Sequence, residues 1–230
     1  MKRAGWKSTS LPSCSRDGLE ELKVLPNTKG VLDYEMERVA IELQHINVKL
    51  FVNEPEKVDL EAVVPIFHQW IQGQIFDELL LDVADYSHVP DGPGVVLIGH
   101  EADYALDNTG GRLGVRYNRK AALTGSNRDR LVQATRSALK AFLRLQQDLK
   151  VYFNNREIEI VVNDRLLAPN SEQTAKLAQP ELEEFLGQLL QRGAYAVKYR
   201  AEPRQLFGVT ILPEREFTLQ ELSANLGQAG

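Results

Sequence analysis

Two short stretches of strict alternation, on either side of Asn108-Thr109-Gly110-Gly111, constrain the fold of this chain more than anything else in it. Ala102, Tyr104 and Leu106 alternate with Asp103, Ala105 and Asp107. Leu113, Val115 and Tyr117 alternate with Arg112, Gly114, Arg116 and Asn118. A period of two marks a half-buried strand, and the Asn/Gly turn tolerates positive φ. A regular hairpin closed by that turn sets Asp107 opposite Arg112 and Asp103 opposite Arg116, with apolar residues paired on the other face. One register then satisfies both faces, and a one-residue slip breaks both.

The hairpin belongs to a longer meander, Glu78 to Lys120. Leu79, Leu80, Leu81 and Val83, and later Val95 to Ile98, are apolar on successive positions, which predicts interior strands covered on both faces or nearly so. Ahead of them, Tyr34 to Asn53 alternates with a change of phase at His45-Ile46, as a bulge or a tight break would produce, although Leu32, Met36, Val39 and Leu43 also fit a helix. Asp59 is a good N-cap, and Leu60, Val63, Val64, Phe67, Trp70 and Ile71 form a helical stripe in which Pro65 marks a kink or the true start. Ser126 and Asp129 form a capping pair for the best helix, through about Lys150, with Leu131, Ala134, Ala138, Phe142, Leu145 and Leu149 on one face.

The last third reads as a strand (157–163), a helix from about Pro180 to Arg192, two strands (194–199 and 206–212) and a short helix opened by Thr218 and Glu221. The predicted fold is α+β: a mainly antiparallel sheet with helices packed on it. Val52-Asn53-Glu54 and Val162-Asn163-Asp164 are each followed by helix, strand, strand, so two similar βαββ-type halves are one reading. The corresponding divisions are 1–33, a flexible basic tail; 34–150, a half built on the meander; and 151–230, a smaller half, continuous with the first or separate. The tail has Lys2, Arg3, Lys7 and Arg16 with no acid through residue 16, and it lacks the apolar core of a signal peptide; a short transit peptide is the alternative.

Composition is that of an ordinary soluble globular protein, and no apolar run is long enough to insert in a membrane. The single Cys14 excludes a disulfide framework and Cys-based zinc, and fits the cytoplasm or an equivalent reducing compartment. No dinucleotide, phosphate-loop, nucleophile-elbow or His-Glu-x-x-His motif is present, so no cofactor or metal is predicted. Charge is sharply partitioned instead. Glu54 to Asp107 holds twelve acids against Lys57 alone, whereas Gly111 to Lys150 holds ten bases against two acids. Mutual pairing of these blocks is the first explanation.

The function to which this points is a non-catalytic interaction protein, an assembly, scaffolding or regulatory factor acting through a charge-segregated surface on a protein partner or a second copy. Arg112, Arg116, Arg128, Arg136 and Lys140 are the interface or anion-binding candidates. The enzyme alternative is a metal-assisted hydrolase or acid–base catalyst using Asp82, Asp85 and His88. The loop residues His88, Asp91 and Gly92, with His100, are further candidates, although antiparallel strands would hold His88 and His100 roughly 20 Å apart. A second alternative is RNA binding through 112–150, against which stand the acidic whole chain and the lack of aromatics among those bases.

Overall fold

The strand that joins everything is β1 (Ile46–Asn53), in which every residue but the last is buried. His45 immediately before it has a φ of 51°, a left-handed residue that breaks the alternation where its phase changes. The computed structural model describes residues 41–227; the predicted tail and the first part of the 34–53 strand reading lie outside the described residues. After β1 come α1 (Val63–Gln72), β2 (Leu80–Tyr86), β3 (Gly94–Gly99), β4 (Ala102–Asp107), β5 (Gly114–Arg119) and α2 (Asn127–Leu149). Then follow β6 (Tyr152–Val162), α3 (Glu172–Leu189), β7 (Tyr195–Tyr199), β8 (Gly208–Pro213) and α4 (Leu219–Asn225).

The eight strands form one sheet in the order β2-β3-β4-β5-β1-β6-β8-β7, antiparallel throughout, so the fold is α+β. Pairing of β1 with β6 brings chain from before and after residue 150 into that single sheet. From β1 the chain crosses through α1 to one edge, β2, and returns strand by strand to β5 beside β1. From β6 it crosses through α3 to the other edge, β7, and returns by β8. The likeness is one of path.

The helices cover one face. α2 lies on β1 and β5, α1 on β2 and β3, and α3 and α4 pack against α2. The predicted capping pair starts α2: the Ser126 hydroxyl accepts from the Asp129 N–H at 3.1 Å, and the Asp129 carboxylate accepts from the Ser126 N–H at 2.9 Å. Thr218 and Glu221 cap α4 in the same way. A chain of aromatic rings joins α1 to the meander: Phe67–Trp70 at 5.1 Å, Trp70–Phe76 at 5.4 Å, Phe76–Tyr104 stacked at 4.5 Å, and Tyr104–Tyr117 at 5.2 Å. Pro65 falls in the first turn of α1, where a missing N–H costs little.

Asp59 does not cap α1, whose N-cap is Ala62 with no side-chain hydrogen bond. Three further expectations need correction. The hairpin forms, with Tyr104 opposite Tyr117 and Leu106 opposite Val115, but its register differs by two residues from the expected one. Asp103 faces Asn118 and Asp107 faces Gly114, so the Asp–Arg ladder does not exist. A two-residue change keeps every side chain on its own face, which is why the apolar pairing survives it. Second, β2 is an edge strand: Leu79 and Leu81 are 60% and 51% exposed, not covered on both faces. Third, α3 starts at Glu172, capped by Ser171, well before Pro180. Pro180 is exposed, so its missing hydrogen bond falls on the outer face of the helix.

The register has a visible cause on the face away from the helices. There Asp107, 1% exposed, binds the ammonium of Lys49, 5% exposed, at 2.5 Å, and also accepts from the Thr109 hydroxyl at 2.6 Å. Lys49 sits on β1 and Asp107 on β4, so the side chain must lie across β5 between them. It does so over Gly114: a Cβ there would stand 2.9 Å from Lys49 Cε and 2.7 Å from the Leu50 carbonyl oxygen. Burial pushes the Lys49 pKa down, against the opposing pull of Asp107. Removing one member of a buried pair leaves an uncompensated charge. Asp107→Ala is therefore expected to lower stability in urea unfolding by about 3–5 kcal/mol, and Lys49→Met with Asp107→Leu to lose much less than that.

Candidate interaction surface

Asp82 and Asp85 are both exposed on β2, but three positions apart, so they leave the strand on opposite faces. Each serves its own backbone. Asp82 accepts from the Val83 N–H at 2.8 Å, and Asp85 from the Ser87 N–H at 2.9 Å. Hydrogen bonds from Ser87 hold the Asp85 carboxyl below the usual range. His88 is exposed in the loop that follows, where Asp91 has a φ of 53° and its carbonyl accepts from the Gly110 N–H at 3.3 Å. Gly92 is buried in that loop. His100 lies beyond the far end of β3, its N–H on the Leu79 carbonyl at 2.8 Å. Among the described residues no three His, Cys, Asp or Glu side chains come together as metal ligands.

The five basic candidates are all engaged within the chain. Arg112 pairs with Glu157 at 2.5 Å and lies over the Phe51 ring at 4.1 Å. Arg116 reaches Asp107 at 3.8 Å, Arg128 reaches Glu184 at 3.5 Å, and Lys140 reaches Asp77 at 3.4 Å. Arg136 donates to the Leu226 carbonyl. Further along the basic segment, Arg119 pairs with Glu101 at 2.9 Å, Lys120 with Asp103 at 2.6 Å and Arg130 with Glu42 at 3.1 Å. The basic block is a set of struts between elements. Each exposed pair adds under about 1 kcal/mol, but together they neutralise the surface that a nucleic acid would need.

The acids behave differently. Glu56, Asp59, Glu61, Asp82, Asp85 and Asp91 are all exposed, and none forms an ion pair among the described residues. Five of them, Asp59, Glu61, Asp82, Asp85 and Asp91, lie on β2, in the loop after it or against its end. α1 lies beside β2, and the loop before α1 closes a hollow with the end of β2, lined by Asp59, Leu60, Glu61, Ser87 and His88. At the other end of α1 a second hollow is lined by Ile71, Phe76, Leu79 and Leu80 together with the polar Gln74, Asp77 and Glu78. Between and beside these stand the exposed apolar residues Leu79, Leu81, Tyr86 and Val89. Because Asp82 and Asp85 occupy the N–H groups of Val83 and Ser87, a ninth strand would meet an obstructed edge. What this edge offers is side chains: carboxylates around leucines.

Next to that edge is a polar cluster that sequence reasoning missed. Glu78, at the foot of β2, lines a cleft of about 260 Å³ with Tyr104, Arg119, Gln133, Ser137 and Lys140. The Tyr104 hydroxyl donates to Glu78, and Gln133 Nε2 donates to the Tyr117 hydroxyl at 2.9 Å. Burial pushes the Glu78 carboxyl up, by more than the Tyr104 hydrogen bond pulls it down. Burial also raises Tyr104 and Tyr117 above the ordinary phenol range. In sequence Glu78 was one more member of an acidic run, with nothing to mark it as half-buried. Glu78 Oε2 is buried without a hydrogen-bond partner, while the Tyr104 bond to the other oxygen fastens the start of β2 to β4.

No protein-family model matches the chain, and no curated protein matches it significantly.

A carboxyl whose pKa in the fold lies above its ordinary 4.5 favours folding below that value, and this contribution is lost as pH rises through the folded value. Urea unfolding between about pH 4 and 8 is therefore expected to show Glu78→Gln with a smaller fall in stability toward neutral pH than the wild type. Equal slopes would contradict the assignment.

Proposed function

We propose that this protein is a non-catalytic interaction protein, an assembly, scaffolding or regulatory factor, that docks a basic, partly apolar segment of a protein partner on the edge formed by β2 and α1. The observation that carries this reading is the asymmetry of the charges: the bases of 112–150 are largely engaged within the chain, whereas the acids around β2 face solvent without ion pairs among the described residues. A one-sign edge raises the rate of encounter with an oppositely charged partner and repels a second copy of itself. Leu79, Leu81 and Tyr86 supply the apolar contact that slows dissociation once the partner is seated.

The acid–base alternative draws no support from Asp82, Asp85 and His88, since the two aspartates face opposite ways and are occupied by the backbone. The nucleic-acid alternative requires bases that are engaged in ion pairs. With one cysteine, the protein suits the cytoplasm or another reducing compartment.

Photo-crosslinking side chains at Leu81 and Tyr86, with exposed Gln220 on α4 as the control position, test the reading. The expected result is a partner captured from the edge positions alone. Its association rate should fall about tenfold with Asp82→Lys and Asp85→Lys together, and the difference should shrink in salt. Capture no greater than at Gln220, or a rate indifferent to charge reversal and salt, would sink the proposal.

A further inference from the structure

The opposite edge of the sheet differs in kind. There the loop between β6 and α3 presents Leu166 at 91% exposure, the highest among the exposed large apolar residues, with Leu167 beside it. An exposed leucine on a mobile tip needs no explanation, but this loop is pinned. Asp164 accepts from the Leu166 and Leu167 N–H groups, both at 3.0 Å, and contacts His45 at 3.1 Å. Arg165 donates to the Arg204 carbonyl at 2.5 Å, and Asn170 to the carbonyls of Arg200 at 3.2 Å and Glu202 at 2.8 Å. Hydrogen bonds thus tie the loop to the turn between β7 and β8.

Between that turn and the first half of α3 lies a cleft of about 640 Å³ whose apolar lining includes Ala175, Tyr199, Ala201 and Phe207. Tyr199 is itself 39% exposed. The charged residues lining the cleft are Glu172, Lys176 and Arg200, the last paired with Glu159 at 2.8 Å, and the adjoining turn carries exposed Glu202 and Arg204; of these, Glu172, Lys176, Glu202 and Arg204 form no ion pair among the described residues.

We infer that this edge is a self-association surface, in which Leu166 of each protomer enters the cleft of the other about a two-fold axis. A projecting leucine and an apolar cleft on the same end of one chain satisfy the condition for an isologous contact: one patch meets itself, so the patch must carry both halves of the fit. The charges distinguish a second copy from other occupants. Free charges of both signs in equal number on the cleft and its adjoining turn let the patch pair with its own image, whereas a partner of uniform charge would meet repulsion from half of them. The acidic β2 edge lacks this property, so the two edges take different partners.

The full chain is tested by sedimentation velocity over a wide range of concentration. Wild type should pass from monomer to dimer mass. Leu166→Glu and Ala201→Trp, both at exposed positions, should each raise the dissociation constant at least about tenfold while circular dichroism is unchanged. Mixing the two variants should recover part of the association, because the leucine of the Trp variant still fits the open cleft of the Glu variant. A wild type monomeric throughout, variants that dimerise like it, or a mixture no better than either variant would each overturn the inference. None of these results depends on the β2 edge.

Discussion

The sheet depends on a charge pair that lies inside it. Lys49 reaches from β1 across β5 to Asp107 on β4, and both are almost fully removed from solvent. Such a pair adds little net stability, because desolvation offsets most of the attraction. Its consequence is for register. Any other alignment of β4, β5 and β1 leaves an ammonium and a carboxylate buried apart, or sets a side chain in place of Gly114 under the lysine stem. With that alignment fixed, β1 has its other side for β6, and the two circuits of the chain share one sheet.

The charge partition along the sequence resolves in the same physical terms. Long basic side chains on β5 and α2 reach neighbouring elements and find carboxylates there, some of them from the acidic block itself. Short aspartates at the rim of the sheet cannot reach across in that way, and they turn to their own backbone or to water. A surface rich in one sign is left where the chain is shortest of opposite charge. The far edge, beyond β6, carries both signs.

Much of the fold was legible because its signals are local. The capping residues of α2 and α4, the period-two stretches of β4 and β5, and the phase change at His45 all depend on near neighbours along the chain. The hairpin register was not legible, because the partner that fixes it, Lys49, lies on a strand more than fifty residues earlier. Nor could an apolar run such as Leu79–Leu81 reveal whether another strand follows beside it. The candidate residues suffered from the same limit. Charge type is readable from sequence, but whether an arginine is a strut or a binding group depends on what the fold sets within its reach.

Carboxyl labelling of the native full chain with a carbodiimide and an amine, read residue by residue by mass spectrometry, tests most directly the claim that the fold engages its bases and leaves the acids of one edge open. Glu56, Asp59, Asp82 and Asp91 should label nearly as fast as in the unfolded chain, while Asp107 stays protected until unfolding. Protection of the edge carboxylates to the same degree as Asp107, or rapid labelling of Asp107 itself, would contradict the account.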